Sequence, residues 1–292
     1  MMRYPHILAL ALALGGTGLV ATPDIAAKTA RTVRQTAEAS MTLTGKIDIG
    51  TDGHVTGFQL DHADKLPADL AAFVQRQVQA WQFQPVVVNG AAVATQTPVT
   101  LRLLSQPSPD GAGDNVRVAG ASFTGYDPED TSRVTSVEMR SPAYPKNLYA
   151  MRAKGDVLLL VKVGRDGTVQ DVFAEQVNLR VVGKENQMRQ VRDTFARASV
   201  STARSWTFRP PTTGKLKDAE SWNVRIPVRY MMGEYDLARY GTWEAYIPGP
   251  RERAPWRSSQ AGAEAAPDLL AAGGIYMADL DDGPRLLTPL GG

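Results

Sequence analysis

The 292-residue chain contains no cysteine, which excludes disulfides, thiolate zinc sites and thiol nucleophiles at once. Histidine is nearly as scarce. Of the three, His6 precedes the first apolar run, and only His54 and His62 lie beyond it. Neither stands at a metal-ligand spacing with the neighbouring Asp61 and Asp64, so no metal and no cofactor is expected. A surplus of charge is also missing: 32 basic residues against 30 acidic ones leave a net +2, which gives no electrostatic reason to expect nucleic acid. No phosphate loop or dinucleotide fingerprint occurs. Gly120-Ala121-Ser122-Phe123-Thr124-Gly125 carries one residue too many for a nucleophile elbow. These absences point away from an enzyme.

Long apolar runs are lacking too. Ile7 to Val20 is a run of 14 residues, short of the roughly 20 that a membrane-spanning helix needs. Arg3 is the only charge before Asp24, and small residues follow the run. This is the pattern of a secretory signal peptide over residues 1–27, with Ala27 as its expected last residue and Ala21 as the competitor. The alternative is an uncleaved anchor, with the run stretching to Thr22 and the bilayer thinning around it. In either case the rest of the chain is exported.

What is present is a repeat. Gly50-Thr51-Asp52-Gly53-His54-Val55 and Gly164-Arg165-Asp166-Gly167-Thr168-Val169 share one pattern. Asp-Gly favours a hairpin turn because glycine accepts positive φ without a steric cost. Before the turns, apolar residues alternate: Leu43, Ile47 and Ile49 in the first copy, and Val157, Leu159, Val161 and Val163 in the second. That period belongs to a strand with one buried face. A helix is predicted after each hairpin. Leu66, Leu70, Phe73, Val74, Val78 and Trp81 mark the first apolar stripe, entered through Pro67, and Met188, Val191, Phe195, Ala198, Thr202 and Trp206 mark a weaker second one. Trp81-Gln82-Phe83-Gln84-Pro85 and Trp206-Thr207-Phe208-Arg209-Pro210 then close the helices, and the two tryptophans are expected in the cores. A last alternating strand follows each, Val99 to Leu103 and Val224 to Tyr230.

The expected fold class is α+β: two small modules, each a three-stranded antiparallel sheet with a helix packed on one face. The modules cover residues 41–104 and 138–232. Residues 105–137 read as a Gly- and Pro-rich linker that holds a short strand at Val116-Arg117-Val118 at most. Residues 233–292 read as a Pro- and Gly-rich extension, loose over Gly249 to Pro267, with a small hairpin over 275–287 around Asp282-Gly283. Trp243, Tyr246 and Trp256 within it either dock back on the modules or meet a partner.

Ser141-Pro142-Ala143-Tyr144-Pro145, a short helical piece to Met151, Gly155, the Asp166-Gly167 hairpin, the Trp206-to-Pro210 signature and Ile226-Pro227-Val228 occur in this order. Together they resemble the C-terminal domain of the TonB family over about residues 138–232. The first copy resembles the same module without the Tyr-Pro opening. The resemblance implies a periplasmic protein-binding domain. An extended segment of an outer-membrane receptor, the TonB box, would add to its last strand through main-chain hydrogen bonds. The implied docking edge is Asn223, Val224, Arg225, Ile226, Val228, Arg229 and Tyr230, bordered by Ser141, Tyr144 and Pro145. The family commonly carries Gln where Ser141 stands.

The apolar run here is short, with His6 ahead of it, and the long Pro-rich spacer of energy transducers is missing. An accessory periplasmic binder therefore fits the residues better than an inner-membrane motor component. Two alternatives stand beside it: an anchored transducer working with ExbB and ExbD, and a closed scaffold whose two sheets hide each other's edges.

Overall fold

A computed structural model describes residues 37–107, 114–123, 127–232, 240–257, 270, 274–280 and 283–290 of the chain. The expected signal segment, Thr124-Gly125 and the Asp282 turn lie outside the described residues. No described helix is long and apolar enough to cross a membrane.

Alternation builds the first module. In β1 (Glu38–Ile49), Met41, Leu43, Ile47 and Ile49 are buried and their neighbours are not. The Asp52-Gly53 turn returns the chain into β2 (Val55–Leu60), which pairs antiparallel with the second half of β1. Helix α1 (Ala68–Gln79) starts directly after Pro67 and buries Val74 and Val78. A tight β3 (Val87–Val88) and β4 (Ala91–Ala92) hairpin leads to β5 (Thr95–Pro107), which runs antiparallel along β1 from Ala39 to Ile49. The expected linker holds a full strand, β6 (Asp114–Ser122), paired with β5 from Thr100 to Pro107. The sequence around it is rich in glycine and polar residues, yet Val118 is buried and Val116 packs against the same core. A short β7 (Thr135–Glu138) then opens the second module.

In that module β8 (Gly155–Gly164) and β9 (Val169–Leu179) form the second Asp-Gly hairpin. Helix α2 (Glu185–Ala203) buries Met188, Val191, Phe195, Ser199 and Ala203, so the stripe turns toward Ser199 and Ala203 instead of Ala198 and Thr202. β10 (Thr207–Arg209) pairs with β7, and β11 (Ser221–Tyr230) pairs with all of β8.

The two copies match in detail. Gly53 and Gly167 have φ of 83° and 78°. Their carbonyls accept hydrogen bonds from Phe83 and Phe208 at 2.8 and 2.9 Å, which ties each hairpin to the signature after its helix. Trp81 and Trp206 are both 3% exposed, in two separate cores. The β2-β1-β5 order of one copy is the β9-β8-β11 order of the other.

The fold is thus mixed α and β, with mostly antiparallel sheets and few helices. The three-strand expectation is corrected: the sheets have five and four strands. The added strands come from outside the repeat and cover edges that would otherwise leave backbone groups unpaired. β6 covers β5. β12 (Glu244–Tyr246) pairs with the start of β1, and β13 (Tyr276–Met277) pairs with β11. Within the expected 275–287 hairpin, whose Asp282 turn lies outside the described residues, Tyr276–Met277 pairs with β11 and Leu286 bridges to Phe83. Its periodicity is that of an edge strand, which does not name the strand it will join.

The stretch expected to be loose after Gly249 is docked as far as Arg257. The Gly249 N–H donates to Asn178 Oδ1, the Glu252 N–H to the Glu175 carbonyl, and Trp256 Nε1 to Asn223 Oδ1. Trp243, Tyr246 and Trp256 dock back: Trp243 on the first core, Tyr246 buried beside β1, and Trp256 edge-on to Phe173.

Candidate functional site

Along β11, Trp222, Val224, Ile226, Val228 and Tyr230 pack in the core under α2, leaving Asn223, Arg225, Pro227 and Arg229 on the other face. The Asn223 carbonyl accepts from the Ala278 N–H at 2.7 Å, and its N–H donates to Asp279 Oδ2 at 3.1 Å. The backbone of Asn223 thus points away from β8, and by the two-residue period so do those of Arg225, Pro227 and Arg229. Arg225 is paired with Tyr276. Pro227 has no N–H to offer. Of the outward N–H groups of this edge, those of Asn223 and Arg225 face the chain's own extension, and that of Arg229 lies beyond it.

The side chains on the outer face are likewise engaged. The Arg225 guanidinium donates to both carboxylate oxygens of Glu175, at 2.7 and 3.2 Å, in a pair that is almost fully buried. Arg229 donates to Asp156 at 2.8 Å. Asn223 Nδ2 donates to Asp279, which also takes Arg257 at 2.5 Å.

The expected border behaves unevenly. Tyr144 lies 6.3 Å from the Tyr230 ring, and Tyr230 stacks on Phe195 at 4.2 Å. The Tyr144 hydroxyl donates to the Ala153 carbonyl at 2.7 Å, and the Tyr230 hydroxyl meets Ser199 Oγ at 2.9 Å. Burial pushes the Tyr144 phenol up, with Tyr149 adding to it. Burial also raises Tyr230, against the opposing Ser199 hydrogen bond. Both hydroxyls therefore stay protonated, and that of Tyr230 ties the end of β11 to α2. Ser141 is exposed, and Pro145 sits half-buried at the head of the Lys146–Leu148 turn.

A feature that the sequence reading passed over lies on the opposite edge of this sheet. β9 is bordered by Thr207 at Thr168, by Glu252 at Glu175, and by Ile247, which exchanges both backbone hydrogen bonds with Leu179 at 3.0 and 2.7 Å. Between these runs the edge of β9 over Val169 to Ala174, of which Val172, Phe173 and Ala174 line a cleft of about 730 Å³ against α2. Its floor is Val172, Ala174, Ala196 and Val200, and Arg189, Arg192, Arg197 and Arg204 stand along the helix side. Arg192 is only half-satisfied: Nη1 is 3.7 Å from Glu185, Nη2 reaches the Pro248 carbonyl at 3.4 Å, and buried Nε has no partner. Burial lowers its pKa from the ordinary arginine value, against Glu185 and Asp193. The signal for this cleft was the Arg189, Arg192, Arg197, Arg204 series, which keeps to one side of a helix.

His54 follows its hairpin turn and donates its N–H to Asp52, and the His62 ring sits edge-on to Tyr240. Among the described residues no cluster of three metal-ligating side chains forms. Ser122 ends β6, and Phe123 packs with its ring edge-on to Trp81 and Phe83. Comparison of the chain with protein-family models, with curated proteins and with solved structures gives no match.

Proposed function

We propose that the chain is a non-enzymatic, protein-binding component of the bacterial cell envelope, exported to the periplasm. Its second module resembles the TonB C-terminal domain and takes an extended partner segment, such as an outer-membrane receptor's TonB box, by strand addition at β11. The observation that carries this reading is the cover on that edge. β13 is two residues long, so an incoming strand has little to displace before it reaches Asn223, Arg225 and Arg229. The missing N–H at Pro227 sets which registers succeed. ExbB and ExbD enter as partners only if the N-terminal segment is retained as an anchor, which mass spectrometry of the N-terminal residue in periplasmic and membrane fractions decides.

The test loosens the cover. Ala278→Pro combined with Asp279→Asn removes the N–H and the charge that hold Asn223. A receptor-derived TonB-box peptide should then bind about tenfold more tightly than to the intact chain, and it should slow amide exchange at Arg229. No binding to either form would rule out docking at β11.

A closed two-module scaffold is the second reading. It is favoured by residues 244–247, which pair with both sheets. It requires slow amide exchange at Asn223 and Arg225 with no peptide present, and no gain on loosening.

A further inference from the structure

We infer that the cleft between α2 and β9 is a second recognition site, which takes an extended acidic segment of another protein by adding it to β9 over Val169 to Ala174. The inference extends the proposed strand-addition function to a different edge, and it does not depend on what binds β11.

The edge there is interrupted, not finished. Chain already runs beside β9 at Thr168 on one side of the gap and at Glu175 and Leu179 on the other. The gap is about six residues, on the order of 20 Å of extended chain. Its backbone offers donors outward: the Val172 N–H is not spent on β8 but is capped by its neighbour's carboxylate, Asp171 Oδ1, at 2.8 Å. A side-chain oxygen therefore stands where a partner strand's carbonyl would sit, and it is free to swing away.

Charge selects the occupant. Arg189, Arg197 and Arg204 make no ion pair with any described carboxylate, and Arg192 has a buried Nε with nothing to donate to. Glu185, Asp193 and Glu252 also border the cleft, so four guanidinium groups face three carboxylates. Guanidinium groups bind carboxylates through paired hydrogen bonds. The floor of Val172, Ala174, Ala196 and Val200 is apolar and small, which suits the inward side chains of a strand. A segment alternating apolar and acidic residues would set one row on the floor and the other against the arginines.

The test uses the intact chain and three fluorescein-labelled octapeptides: alternating Val and Glu, alternating Val and Lys, and the Val–Glu sequence with two valines replaced by proline. The Val–Glu peptide should bind best, with slowed amide exchange at Val172 and Ala174. Arg189→Glu with Arg197→Glu, both at exposed helix positions, should weaken it about tenfold, since two attractions become repulsions. Equal binding of the Val–Lys or proline peptide overturns the inference, as does binding that ignores the double substitution. Protection appearing at Arg229 instead would overturn it while leaving the β11 reading intact.

Discussion

Gly53 and Gly167 each do two things that only glycine allows. Each adopts positive φ, and each lets the signature after the helix come so close that an added Cβ would collide with the carbonyl of Phe83 or Phe208. Gly53→Ala and Gly167→Ala should therefore each cost roughly 1–3 kcal/mol, measured by denaturant unfolding. Gly90→Ala, with positive φ but open space around it, should cost less. Beside Gly167, the Thr168 backbone N–H and hydroxyl both donate to Asp166 and hold its carboxyl below the ordinary 3.8. A depressed carboxylate stabilises the fold above the unfolded pKa and loses that contribution as pH falls through the folded one. NMR titration should place the Asp166 midpoint under 3.8, and Thr168→Val should move it back toward that value by removing one donor.

Elements were legible where one period governed many residues. The strands before each Asp-Gly turn, helix α1 and both buried tryptophans follow from alternation and helical spacing, because those patterns are set by which face is buried. β6 was not legible at full length. Val116-Arg117-Val118 is a three-residue seed, and its extension to nine residues comes from pairing along β5. The sequence of β13 suits half of a local hairpin for a similar reason: two apolar residues fit any free edge, and the edge of β11 is more than forty positions earlier in the chain. The docking residues divide on the same line. Their strand was readable, but which backbone groups face outward, and that Arg225 is consumed by Glu175, depend on neighbours that periodicity does not encode.

The whole molecule is held together by its extension. Glu244–Tyr246 joins β1, the next residue joins β9, and the Tyr246 hydroxyl donates to Glu38 and accepts from Arg102. Arg180 meets Asp156 at 2.7 Å and Glu244 at 2.6 Å, so that one guanidinium ties the second sheet to β12. Burial works against the Arg180 charge, and the two carboxylates outweigh it, leaving its pKa above the ordinary value. The two cores should accordingly unfold together. Calorimetry should record one transition for the intact chain, and Ile247→Pro, which deletes the 2.7 Å bond to the Leu179 carbonyl, should split it into two.

Gln82, just past the end of helix α1, donates its N–H to Thr288 Oγ1 at 2.8 Å, 206 positions further on. Leu287 also donates to its carbonyl, and Gln84 donates to that of Arg285. Nearly the whole polypeptide must therefore be made before these bonds to the earliest module can form. Contacts of such long sequence separation form late. Until then the nascent chain remains unfinished at its front end, the condition in which a polypeptide can still be threaded across a membrane.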